Sequence, residues 1–150
     1  MPTPGNAQLG GVFDPSRDVR VTGQIVSAGP RSTAAGVGYS DGAGATVTQA
    51  SNRTTGVTVN ALCGTITTNN TSLAAEAAAA FVVTNSCVQI GDVVLVAQRS
   101  GAVGVMTDVV VVAVANGSFT LSVMNNNASG GTAETGAIIL NFAVIKGTTI

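Results

Sequence analysis

Apolar residues in this 150-residue chain recur mostly at every second position, in short runs broken by Asn, Gly, Ser and Thr. A period of two places alternate side chains on opposite faces of an extended strand, so each run reads as a strand with one buried face. Residues 56–62 alternate cleanly through Val57, Val59 and Ala61, residues 64–68 continue the pattern, and Asn69-Asn70 turns the chain. Residues 92–98 are apolar on both faces, as expected of a central sandwich strand. Residues 105–115 are rich in β-branched side chains and too long for one ordinary strand, which predicts a bend or a change of sheet. Asn116-Gly117 is a two-residue hairpin signal, after which Phe119, Leu121 and Val123 resume the alternation. Residues 125–131 form a polar loop, and residues 137–145 supply the closing strand. Strands of this length, joined by Asn/Gly/Ser turns, predict an all-β fold: an antiparallel β-sandwich, jelly-roll-like.

One stretch resists that pattern. Leu73-Ala74-Ala75-Glu76 and the alanines at 77–80 have the strongest helix propensity in the chain, with Ser72 placed to cap a helix. About nine residues make a marginal helix without packing, and alanine gives it almost no apolar face. A strand instead puts Ala77, Ala79, Phe81 and Val83 on one side. The preferred reading is a loop through residues 74–76 and a strand from about Ala78 to Thr84, with a short helical turn at 73–77 left open.

Residues 1–45 are rich in Gly, Pro, Ala and Ser, with one strand-like island at residues 19–26. So little apolar surface cannot offset the entropy of ordering the segment on its own. It reads as an extended N-terminal arm, ordered by something it lies against, or as a flexible tail, ahead of a sandwich domain at 46–150.

Composition narrows the setting. Charged residues are 9% of the chain and aromatics 3%, with a net charge of −1. The surface must be mostly neutral, which suits a protein packed in an assembly better than a lone monomer. There is no broad basic footprint for nucleic acid. The N-terminus lacks the pattern of a signal peptide, and no apolar run reaches the roughly 20 residues of a membrane-spanning helix. Synthesis in a cytoplasm is the expectation. With few charges on its sheet edges, the domain is expected to cover them with neighbouring copies.

Candidate chemistry is sparse. The chain has no histidine, which removes Ser-His and Cys-His catalysis and imidazole metal sites. Cys63 and Cys87 read as small buried hydrophobes, with a bridge possible only between neighbouring strands. Glu76, Asp92, Asp108 and Glu134 read as solvated turn carboxylates, and Lys146 as a polar strand end. The glycine-rich residues 36–44 lack the preceding strand, following helix and lysine of a phosphate loop. No catalytic residue, cofactor or metal is expected.

Several segments taken in order carry a resemblance: Gly38-Tyr39-Ser40-Asp41-Gly42-Ala43-Gly44, then Asn52-Arg53-Thr54-Thr55-Gly56-Val57-Thr58, Cys63-Gly64-Thr65-Ile66-Thr67, Phe81-Val82-Val83-Thr84-Asn85-Ser86, Ala113-Val114-Ala115-Asn116-Gly117-Ser118-Phe119 and Leu140-Asn141-Phe142-Ala143-Val144-Ile145-Lys146-Gly147. Together they resemble a family of small tailed-bacteriophage virion β-sandwich proteins, found as capsid decoration (cement) proteins or as fibre modules. The likeness runs from about Gly36 to Gly147. It implies a trimeric virion module, a strand at 78–84, and no catalytic residue. The expected function is a decoration protein that binds the outer head surface as a homotrimer and stabilises contacts between major capsid protein subunits, its partners being that protein and itself. Arg17, Arg20 and Arg31 of the arm, with Arg53, are the expected contacts to an acidic capsid surface. The alternative is a tail-fibre, spike or head-fibre module binding host glycans, with Tyr39 the best candidate for sugar stacking.

Overall fold

The structure, a computed structural model, describes Tyr39 and residues 43–147. Among these residues there is no helix. Eight strands form two four-stranded sheets. Strands β1 (Gly44–Thr48), β3 (Cys63–Thr67), β8 (Ile139–Ile145) and β5 (Val93–Ser100) make one sheet, in the order β1-β3-β8-β5. Strands β2 (Val57–Thr58), β4 (Ala78–Thr84), β7 (Ser118–Asn125) and β6 (Thr107–Ala115) make the other, in the order β2-β4-β7-β6. The expected all-β sandwich is present. The unit that carries both sheets begins at Tyr39, ahead of the boundary expected at 46.

The departure from expectation lies in strand direction. The β1–β3 and β2–β4 pairings are parallel, and the other four are antiparallel. Parallel neighbours need a crossover. Here the first four strands alternate between the sheets, so a strand of the opposite sheet serves as each crossover.

The alanine stretch resolves as strand. β4 alternates exposed and buried residues along its whole length, with Ala79, Phe81 and Val83 inward. Before it, the Ala77 amide donates to the Ala74 carbonyl (3.2 Å) across a turn in which Glu76 has φ 63°. A residue in the left-handed region ends any helix at once, so residues 73–77 form a turn and not a helical one.

Phe81, Phe119, Leu121, Ile66, Leu140 and Phe142 come from both sheets and lie at the centre of the core. The Phe119 and Phe142 rings meet across the sandwich at 5.7 Å between centroids. β6 stays within one sheet and absorbs its extra length in a register shift between Val111 and Ala113. The Asn116-Gly117 hairpin forms as expected, with Gly117 at φ 77°.

β5 corrects its reading as a central strand. It pairs only with β8 among the described residues, and its second apolar face is open: Val93 and Leu95 are each 52% exposed. An apolar pattern on both faces came from one face in the core and one on the outside of the sheet.

Candidate functional site

Strand directions bring four connections to one end of the sandwich: residues 49–56, 68–77, 101–106 and 126–138. Loops at a sheet end cannot satisfy one another's backbone groups through a ladder, so side chains must do it. Neutral amides such as Gln49 and Asn125 do part of this work, and two charged side chains join them although both are buried: Arg53 is 4% exposed and Glu134 0%.

Arg53 is held in place by Gln49, whose amide donates to the Arg53 carbonyl (3.0 Å) and the Thr55 carbonyl (2.8 Å). Its guanidinium donates to the carbonyls of Glu134 (3.1 Å), Gly136 (2.8 Å) and Thr71 (2.5 Å), and to Thr68 Oγ1 (3.3 Å). The planar fork of donors suits several fixed carbonyls at once, as an ammonium does not. Burial lowers the Arg53 pKa, and the nearby Glu134 charge opposes that shift.

The Glu134 carboxylate faces the other way. It accepts from the backbone amides of Val103 (3.0 Å), Gly104 (3.0 Å) and Gly136 (2.7 Å), and from the Thr107 hydroxyl (2.5 Å). Burial alone would raise its pKa. The hydrogen bonds from Thr107, Val103, Gly136 and Gly104 outweigh burial and hold it at about 2, so the group is ionised at neutral pH. The backbone beside it is equally confined: a Cβ on Gly136 would lie 1.9 Å from the Gly101 carbonyl oxygen.

This arrangement fixes the loop between β5 and β6. Its Val103 and Gly104 amides point inward to Glu134, and the Met106 carbonyl accepts from Asn126 N (2.9 Å). Ala102 packs against the core, and the side chains of Val103, Val105 and Met106 point outward. Val105 is 95% exposed, Val103 60% and Met106 52%. The result is a projecting apolar tip whose backbone is pinned from beneath.

The opposite end is tied by Asp92, nearly buried, which accepts from Lys146 Nζ, Gln89 N and Gly147 N. The Lys146 hydrogen bond lowers the Asp92 pKa most; burial opposes it. Tyr39 donates its hydroxyl to the Val144 carbonyl of β8.

Of the four arginines expected to meet a capsid surface, Arg17, Arg20 and Arg31 lie outside the described residues. Arg53 is a correction: its donors are committed to internal carbonyls, and it has almost no surface to offer. Glu134 and Asp92 also correct their reading as solvated carboxylates, while Asp108 and Glu76 are exposed. Cys63 and Cys87 are free, half-buried thiols. Among the described residues, no three His, Cys, Asp or Glu side chains converge on a possible metal position. Sequence reasoning missed the apolar tip because Val105 and Met106 had been assigned to the long strand that follows. It missed Glu134 because a lone carboxylate in polar loop text looks solvated. The available hint was the glycine-rich backbone of residues 101–104 and 136, which needs acceptors for its amides. Comparison with family models, curated proteins and solved structures finds no match.

Proposed function

We propose that the chain is a capsid decoration protein of a tailed bacteriophage, a homotrimer on the outer head surface that clamps neighbouring major capsid protein subunits and performs no chemistry. The observation that carries this reading is the open apolar surface. Val103, Val105 and Met106 at the loop tip, with Val93, Leu95 and Ile145 on the outer face of the β5–β8 pair, are all at least half exposed. A soluble monomer rarely leaves such residues together without a partner. That surface suits self-association into the trimer, while the order of segments resembling small virion proteins supplies the capsid setting and the low charge of the chain suits a molecule held in a lattice. On this reading Arg17, Arg20 and Arg31 meet acidic capsid surface.

Adding purified protein to empty heads and imaging the product tests the proposal. Density on the head lattice at threefold positions is expected. Density confined to the tail tip, or no binding, overturns it. A glycan-binding fibre module is the competing reading, and its stacking candidate is Tyr39, 42% exposed. The buried rings of Phe81, Phe119 and Phe142 lend that alternative no support, and dose-dependent hits on a glycan array would shift the assignment to it.

A further inference from the structure

The loop tip has a counterpart elsewhere on the same chain. The outer face of the β5–β8 pair holds a shallow depression of about 190 Å³, lined by Leu95, Val96, Ala97, Asn141, Phe142 and Ala143. Register explains it. Leu95 lies opposite Ala143 and Ala97 opposite Asn141, so small alanines leave a hollow beside larger neighbours. The hollow has the volume of roughly six water molecules, more than a valine side chain requires. Residues 101–106 carry no charged side chain, and the outward residues beside the depression are Ile145, Ala143, Asn141, Val93, Leu95 and Ala97; the exposed Arg99 follows Ala97 at the irregular end of β5.

We propose that the 101–106 tip of one copy seats in the β5–β8 depression of the next, with Val105 as the inserted side chain. The contact joins two different patches, so it is heterologous. Repeated, it closes a ring when the rotation between copies allows, and here the ring has three members. The inference rests on the self-association included in the proposed function, not on where the protein resides in a virion.

The exposed apolar side chains form the centre of this contact. A half-exposed Val, Leu, Ile or Met leaves on the order of 50–100 Å² open, so Val103, Val105 and Met106 against Val93, Leu95 and Ile145 offer roughly 400–600 Å² per contact. That is about a third of the total a standard specific interface removes from water, with the surrounding Ala, Thr and Asn surface to supply the remainder. Pinning by Glu134 lowers the entropic cost, because the tip is ordered before it binds.

The decisive experiment uses two full-chain variants and light scattering at tens of micromolar, a concentration scale for moderate interfaces. Val105→Asp breaks the tip and leaves the depression; Leu95→Asp breaks the depression and leaves the tip. Both positions are exposed, so circular dichroism should show unchanged β structure. The wild type should have three times the monomer mass, and each variant alone should fall threefold to a monomer. Mixed one to one, the variants should recover a dimer, because the tip of Leu95→Asp still fits the depression of Val105→Asp. A tip-to-tip or face-to-face contact cannot be rescued by mixing, so two monomers in the mixture overturn the proposal. A variant that remains trimeric but no longer binds empty heads also overturns it, since that surface then faces the capsid. A monomeric wild type overturns both this contact and the trimer. A trimeric wild type that ignores capsids overturns only the proposed function.

Discussion

Replacing Glu134 by Gln removes one charge while keeping the side-chain shape, and its effect can be worked from the hydrogen bonds. Oε1 accepts from Gly136 N and Val103 N, and Oε2 from Gly104 N and Thr107 Oγ1. A glutamine keeps its carbonyl toward the two amides at Oε1 and turns its NH₂ toward Gly104. Thr107 can reverse its hydroxyl and accept, but the Gly104 amide is left facing a donor. An unsatisfied buried donor costs about 1–3 kcal/mol, and the remaining bonds lose their charge assistance. Arg53 also loses the nearby negative charge. The expected loss is about 3 kcal/mol, read as a lower urea midpoint at unchanged slope, or as a fall in Tm of roughly 6–12 °C for a domain of this size. The acid dependence gives a second reading. The Glu134 pKa is about 2 in the fold against an ordinary 4.5. A depressed carboxylate stabilises the fold above its unfolded pKa, and that contribution disappears as pH falls through the folded pKa. The gap between wild type and Glu134→Gln should therefore hold from neutrality to about pH 5 and narrow toward about pH 2. The shift alone corresponds to about 3 kcal/mol, in line with the loss worked from the hydrogen bonds. A stability loss under about 1 kcal/mol, typical of a surface substitution, would refute the claim that this carboxylate organises the loops.

Two glycines separate steric from conformational need. Gly117→Ala meets no atom within 4 Å but keeps φ 77°, so it should cost only about 1–2 kcal/mol in thermal melts. Gly136→Ala drives a Cβ against the Gly101 carbonyl oxygen and should cost at least 3 kcal/mol, at the far end of point-mutant effects; equal losses at the two sites would contradict the close approach seen at Gly136. Glu76→Gly relieves a left-handed residue at about 1–2 kcal/mol and adds about 0.5–1 kcal/mol of unfolded-chain entropy, so a gain on the order of 0.5 kcal/mol is expected in urea titration, and a clear loss would count against strain there. Asp92→Asn should flatten the acid-side fall in stability, because the Asp92 pKa is lowered and its contribution is lost as pH drops through the folded value. Unfolding curves across the acid range for the two proteins test this, and parallel curves would sink it.

Period-two text carried the strands well. Phe119, Leu121 and Val123 all face inward, and Ala79, Phe81 and Val83 do the same despite the helix propensity around them. Propensity lost at β4 because each inward residue gains packing against β7, while an isolated alanine helix gains none. Periodicity could not distinguish a strand buried on both faces from an edge strand with one face open, and β5 was misread for that reason. It also carries no information about which strands are neighbours, so the parallel β1–β3 and β2–β4 pairings were not foreseen. The buried pair was harder still. Arg53 and Glu134 are 81 residues apart, and beyond the glycine at 136 no neighbouring residue marks either as interior. Their burial follows from unpaired loop backbone, a requirement visible only once the four connections meet at one end.

That requirement links the interior of the loop end to its surface. The seven charged side chains of the described residues are Arg53, Arg99 and Lys146 against Glu76, Asp92, Asp108 and Glu134. Arg53 and Glu134 serve buried backbone groups, and Asp92 holds Lys146, so few charges remain free on the outside. Low charge content is thus lower still at the surface. Charge placed inside orders a loop that, lacking it, would need solvent for its amides. Because the Val103 and Gly104 amides turn inward to Glu134, the backbone leading into Val105 is held with the side chains of Val103 and Val105 outside. The exposure of the tip is then a consequence of the same hydrogen bonds that stabilise the domain. Loosening them should weaken association as well as stability: Glu134→Gln, tested well below its melting temperature, should dissociate at higher protein concentration than wild type, even though Glu134 touches no partner. An unchanged association constant in a fully folded Glu134→Gln sample would show that the tip does not depend on its buried support.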